Sequence, residues 1–195
     1  MRKIKLSVVG DGGAGKTSLL STYNDNDFPD FIIPMTEREI VDMNLGDGGF
    51  VLSMWDNSGG EDYDRLRVLT YPGTDIFLIT YSCVSPASFE NLKCLWYPEI
   101  TRVCPESQFF IVATKIDLKN DAQVLQRLKE KQQQIITTKQ GKELACELGG
   151  RFFETSSLTG KGVRDVFETA CRIRDLPRLE PKKYKEKAEK PCSIN

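Results

Sequence analysis

The chain has 195 residues, 39 % hydrophobic and 28 % charged, with a formal net charge of −1 and no histidine. That length fits one domain with a real core, and the near-neutral balance excludes the basic surface of a nucleic-acid binder. The missing histidine excludes Ser-His-Asp and Cys-His catalysis and mixed Cys/His zinc sites.

Apolar runs alternate with helical patterns along the chain. Met1-Arg2-Lys3 leads directly into a first strand, Ile4 to Val9, closed by Gly10, without the long apolar core of a signal peptide. Gly10-Asp11-Gly12-Gly13-Ala14-Gly15-Lys16-Thr17 follows, and Lys16 to Tyr23 reads as a helix. This is the pattern G-x-x-x-x-G-K-[ST] between a strand and a helix. Its glycines let backbone N–H groups turn inward around phosphates, and the helix N-terminus adds partial positive charge. Gly12, Gly13, Ala14, Gly15, Lys16, Thr17 and Ser18 are therefore expected to bind nucleotide phosphates, with Lys16 reaching the β- and γ-phosphates and Thr17 ligating Mg²⁺.

Ile40 to Leu45 and Phe50 to Trp55 read as two strands joined by Gly46-Asp47-Gly48-Gly49, which has hairpin chemistry. Asp56, at the end of the second, is the expected second Mg²⁺ carboxylate, and the N–H of Gly59 is placed to approach a γ-phosphate. Asp75 to Tyr81 and Phe109 to Ala113 are near-continuous apolar runs, as for strands covered on both faces. Thr114-Lys115-Ile116-Asp117 follows the latter, where ligands of open α/β sheets bind. A carboxylate there accepts both the ring N–H and the exocyclic amine of guanine, a donor pair adenine lacks. Asp117 is thus the expected base selector, with the Lys115 stem along the base. An ATP-dependent phosphate-loop kinase is disfavoured by Asp117 and by the lack of a substrate lid.

Gly141, Leu144, Ala145 and Leu148 form a helical stripe ending at Gly149-Gly150, Arg151 to Glu154 a short strand, and Val163, Val166, Phe167 and Ala170 a last helical stripe. The periodicity stops at Leu176. The order βαββαβαβα predicts an α/β fold: a six-stranded, mostly parallel sheet with one antiparallel edge strand and helices on both faces. No run of 18 apolar residues occurs. Cys83, Cys94, Cys104, Cys146 and Cys171 read as buried or half-buried thiols of a reducing compartment.

These motifs resemble those of the Ras superfamily of small GTPases, and Glu61 to Arg67 with Tyr71-Pro72, then Trp96-Tyr97-Pro98-Glu99, resemble its Rho/Rac branch. The resemblance covers about 1–178 as one G domain, with a charged insert helix near 119–134 and a flexible basic tail over 179–195. It implies that Phe28 packs against guanine, that Leu118 adjoins the base, and that Ser156, Ser157 and Leu158 form the third base-contacting loop, Leu158 standing where lysine is usual.

Three departures from the family bear on mechanism. Its Asp-x-Ala-Gly-Gln motif is here Asp56-Asn57-Ser58-Gly59-Gly60, so Gly60 replaces the glutamine that orients the attacking water. In the first switch Pro34 is followed by Met35 and then Thr36; either Thr36 supplies the family's second Mg²⁺ hydroxyl or that ligand is missing. Ile32 stands where a phosphate-covering tyrosine is usual, and Glu37-Arg38-Glu39 replace a more apolar effector segment.

The tail carries five lysines (182, 183, 185, 187, 190) against Glu180, Glu186 and Glu189, and ends Cys192-Ser193-Ile194-Asn195, a loose prenylation signal at Cys192. The resemblance implies a monomeric GTP/GDP switch with Mg²⁺, partnered by effectors, exchange factors, activating proteins and a dissociation inhibitor. It implies placement on the cytoplasmic face of a membrane, the plasma membrane being expected, and a role in actin or membrane signalling with slow hydrolysis. The alternative is a pseudo-GTPase scaffold that binds guanine nucleotide with little turnover.

Overall fold

The structure, a computed structural model, describes residues 2–29, 39–41 and 50–181. The strands are β1 (Arg2–Gly10), β2 (Glu39–Val41), β3 (Phe50–Asp56), β4 (Ile76–Ser82), β5 (Gln108–Thr114) and β6 (Arg151–Glu154). They form one sheet in the order β2-β3-β1-β4-β5-β6. Every pairing is parallel except β2 with β3, which runs antiparallel with Glu39 opposite Trp55. The expected six-stranded sheet with an antiparallel edge strand is therefore present. The expected hairpin turn at 46–49 lies outside the described residues.

The helices are α1 (Lys16–Asp25), α2 (Asp64–Thr70), α3 (Pro86–Asn91), α4 (Tyr97–Val103), α5 (Ala122–Glu130), α6 (Thr138–Leu148) and α7 (Val163–Cys171). Strand alternation sorts the apolar side chains between two layers. Ile4, Leu6, Val8, Leu52, Ile76, Leu78, Phe110 and Val112 pack under α1 and α7. Val9, Phe77, Ile79, Tyr81, Ile111 and Ala113 pack on the other face with Trp96, Ile100, Leu144 and Leu148. Both faces are covered, which is why β4 and β5 read as continuous apolar runs. Tyr23 stacks on Phe167 at 3.9 Å and joins α1 to α7.

Helix ends follow local chemistry. Thr137 and Gln140 make a reciprocal capping box at the start of α6, and Gly149 closes it at φ +82°. The charged helix expected near 119–134 is shorter: a 3₁₀ turn, Ile116–Asn120, precedes α5, which Asp121 caps through the Val124 N–H at 2.9 Å. An Asp side chain that captures a backbone N–H favours starting the helix there.

The chain is tied down past the end of the helical periodicity. Leu176 packs on the first core layer, and Arg178 pairs with Glu106 at 2.8 Å. No helix among the described residues is long and apolar enough to cross a membrane. Cys83, Cys104 and Cys171 are buried or half-buried free thiols. One cysteine among the described residues departs from expectation: Cys146 is exposed, on the outer face of α6.

Candidate functional site

β1 is central, and the chain passes to β3 on one side of it and to β4 on the other, so the C-terminal end of β1 is where a doubly wound sheet opens a crevice. A cavity of about 540 Å³ lies there. Gly12, Gly13 and Gly15 line it from the loop after β1, Lys16, Thr17 and Ser18 from the first turn of α1, Asp56 to Gly60 from the end of β3, and Thr114, Lys115, Asp117 and Leu118 from the end of β5. Phe28, Ser157 and Leu158 complete the wall. Segments more than 100 residues apart in sequence thus meet at one sheet edge.

Lys16 is buried and donates to the carbonyls of Gly10 at 2.7 Å and Asp11 at 2.8 Å. Burial is the main influence on it and pushes its pKa down to about 8, against the opposing pull of Asp56 and Asp11. A buried ammonium resting on carbonyl oxygens has no full counter-charge, and an anionic phosphate would supply one. Asp11, beside it, is held away by Trp96 Nε1 at 2.7 Å and Asn91 Nδ2 at 2.8 Å.

Thr17 donates through Oγ1 to Asp56 Oδ2 at 2.6 Å. Asp56 is buried, and burial raises its pKa, offset by the Thr17 hydrogen bond and Lys16. Two hard oxygens this close, one a buried carboxylate, suit a Mg²⁺ ion. Among the described residues no group of three or more His, Cys, Asp or Glu could enclose a metal by itself. Phosphate oxygens and water would supply the cation's remaining ligands. Thr36, the other expected ligand, lies outside the described residues.

Gly59 must be glycine. A Cβ there would lie 2.4 Å from the Gly10 carbonyl oxygen and 2.5 Å from the Gly12 nitrogen, so the end of β3 is seated directly on the phosphate loop. Gly60 is different. It is exposed, extended at φ −83° and ψ 144°, and a Cβ there would meet nothing closer than 3.6 Å.

Thr114 ties the third segment to the first. Its hydroxyl reaches the carbonyl oxygens of Ala14 at 2.5 Å and Tyr81 at 3.0 Å. Lys115 adopts φ +58° and donates to the Gly13 carbonyl at 2.7 Å, bridging the cavity mouth. Asp117 faces the cavity half-buried, with no hydrogen-bond partner for its carboxylate among the described residues.

A family model described as the Ras family matches residues 5–175. The chain belongs to the Ras family. It is therefore a small GTP-binding protein. Two expected residues of this Ras-family site do not face the cavity. Ala14 is buried, and it contributes its carbonyl to Thr114. Ser156 is buried, and its hydroxyl accepts from the Thr159 N–H at 3.2 Å, so it shapes the loop that presents Ser157 and Leu158.

Sequence reasoning also missed the support behind the loop after β3. Arg67 is fully buried; it donates to the Ser58 carbonyl at 2.9 Å and forms two bonds to Glu99, 3.0 Å from Nε and 2.7 Å from Nη2. Its guanidinium lies 4.5 Å over the Trp96 ring, and Tyr71 donates to the same Glu99 at 2.6 Å. Burial pushes the Tyr71 hydroxyl up and Glu99 adds to the shift. Asn57 is locked separately, donating to the Val8 carbonyl at 3.1 Å and accepting from Thr70 at 2.7 Å. Partners 9 to 49 residues apart leave no local pattern. The runs Glu61 to Arg67 with Tyr71-Pro72 and Trp96 to Glu99, which carry the resemblance to the Rho/Rac branch, contain its members but give no sign of their pairing.

Proposed function

We propose that the chain is a Rho-like, Mg²⁺-dependent GTP/GDP switch with slow intrinsic hydrolysis. The observation that carries the hydrolytic part is the open, side-chain-free edge of the cavity at Gly60, opposite Lys16, Thr17 and Asp56. Lys16 and the loop N–H groups bind and neutralise the phosphates, Thr17 and Asp56 hold the cation, and Asp117 selects guanine. The residue expected to orient the attacking water has no side chain, so the chemistry runs slowly while binding is intact.

The Rho assignment rests on Glu61 to Arg67 with Tyr71-Pro72, on Trp96 to Glu99, and on the helix α5 between β5 and α6. With it come effectors that read the nucleotide state, exchange factors, activating proteins and a dissociation inhibitor, a role in actin or membrane signalling, and peripheral attachment to the cytoplasmic face of the plasma membrane through a lipid on Cys192. Cys192 lies outside the described residues, and mass spectrometry of the C-terminal peptide from cells tests its modification. The same glycine supports a second reading, a nucleotide-loaded scaffold with almost no turnover.

Single-turnover hydrolysis of bound GTP with Mg²⁺ separates these. A slow native chain accelerated by Gly60→Gln supports the slow switch. A native chain at an ordinary small-GTPase rate, unchanged by Gly60→Gln, removes the mechanistic role of position 60. An inert chain that glutamine fails to rescue supports the scaffold.

A further inference from the structure

The space left empty at residue 60 has a polar neighbour. Ser58 is half-buried and lines the cavity together with Lys16, Thr17, Asp56 and Gly60. A Cβ placed on Gly60 would lie 3.7 Å from Ser58 Oγ, so the hydroxyl stands beside the root of any side chain that could grow there. Among the described residues, its one hydrogen bond is accepted from the Gly60 N–H at 3.3 Å. A second lone pair and the O–H remain available to a ligand.

The backbone that carries this hydroxyl is held from behind. The Ser58 carbonyl accepts from Arg67 Nη1 at 2.9 Å, and Arg67 is in turn clamped by Glu99 and Trp96. On the cavity side, Gly59 abuts the phosphate loop. Residue 58 is therefore fixed on both flanks, and its side chain has one rotatable bond. A short hydroxyl on an anchored backbone loses little freedom when it binds a water.

We propose that Ser58 is the water-holding residue of this site, taking over part of the role that no side chain at 60 can perform. The inference rests on the reading of the cavity as a GTP site. The Ser58 oxygen accepts a hydrogen bond from the attacking water and sets its direction. The water oxygen's lone pair forms the new bond to the γ-phosphorus. The bond from that phosphorus to the β–γ bridging oxygen breaks, its electron pair leaving with GDP, and the water proton passes to a phosphate oxygen. Serine is unchanged at the end; it orients and takes no proton. A single hydroxyl fixes the water less completely than a side-chain amide does, which fits slow turnover.

The test uses the full chain loaded with GTP and Mg²⁺ in single-turnover hydrolysis, with affinity for a fluorescent GDP measured first on each variant. Ser58→Ala is expected to lower the hydrolysis rate constant about tenfold, the worth of one hydrogen bond of about 1.4 kcal/mol, with GDP affinity within twofold of native. Ser58→Thr, which keeps the hydroxyl, is expected to stay within about threefold of native. In the Gly60→Gln background, Ser58→Ala is expected to change the rate little. A Ser58→Ala chain that hydrolyses GTP at the native rate overturns the proposal. So does a Ser58→Thr chain as slow as Ser58→Ala, or a native chain no faster than GTP free in the same buffer. A native chain that binds no GDP fails at the affinity step, and there the GTP-site reading itself has failed.

Discussion

Arg67 and Glu99 meet through two hydrogen bonds, Nε to Oε1 at 3.0 Å and Nη2 to Oε2 at 2.7 Å, with both side chains buried. This pair links α2 to α4, and Arg67 extends it to the carbonyls of Ser58 and Gly60 at 2.9 Å and 3.5 Å. The loop at the end of β3 is thus held by an ion pair that does not line the cavity. Burial disfavours both charges, and the fork geometry with Tyr71 as third member offsets that cost.

Removing one partner leaves the other charged and buried. Glu99→Ala is expected to destabilise the fold by about 3–5 kcal/mol. Arg67→Lys is expected to lose much of that as well, since a single ammonium cannot make the two-pronged contact. Urea unfolding followed by circular dichroism measures both. An unchanged midpoint for Glu99→Ala would show that the pair contributes nothing.

Gly59 and Gly60 are neighbours with opposite tolerances. Gly59→Ala places a methyl 2.4 Å from the Gly10 carbonyl oxygen and must push the β3 loop off the phosphate loop. GTP affinity is expected to fall tenfold or more. Gly60→Ala meets no atom within 3.6 Å and is expected to bind as native does. Equilibrium binding of a fluorescent GTP analogue compares the two, and equal affinities would contradict this packing.

The Asp117 carboxylate accepts no hydrogen bond among the described residues, so its removal leaves no protein donor stranded. Asp117→Ala should spare folding and lower GDP affinity by about two to four orders of magnitude, two charge-assisted hydrogen bonds being worth about 1.5–3 kcal/mol each. Weak ADP binding should be unaffected. Competition titrations read the ratio, and parallel losses for both nucleotides would remove Asp117 from base selection.

Glu154 gives a pH dependence away from the site. Partial burial works against its charge, but hydrogen bonds from Lys119 and from Thr138 at 2.7 Å outweigh that and hold its pKa below the ordinary 4.5. A carboxylate depressed in the folded state stabilises the fold above its unfolded pKa, and that contribution is lost as pH falls through the folded value. Glu154→Gln should therefore be less stable than native at pH 7, with the difference shrinking below about pH 4.5. Thermal melts across this range check it; a difference independent of pH would show that charge is not the cause.

Local chemistry made much of the molecule readable before its fold was known. The phosphate loop, the carboxylates at the ends of β3 and β5, and the Gly149 helix stop are short-range patterns, and each expresses a backbone or charge requirement within a few residues. The near-continuous apolar runs at 75–81 and 109–113 predicted the central strands, because both faces of β4 and β5 must be buried. Element edges were less legible. Asp121 starts α5 later than the charged run suggested, because a side-chain cap outranks composition.

What only the tertiary structure decided is which distant groups share one environment. Glu99 lies 32 residues from Arg67 and Trp96 lies 85 residues from Asp11, yet each pair is in direct hydrogen-bonding contact. Cys146 stands exposed, although thiols favour the core. The room beside Gly60 and the hydroxyl of Ser58 next to it are likewise properties of packing. The sequence by itself determined which residues carry the chemistry expected to bind phosphate, metal and guanine, since that is a matter of chemical type and local spacing. Burial and the crossing of the chain at β1 decided which backbone segments are clamped and which hydroxyl stands beside the empty position at 60.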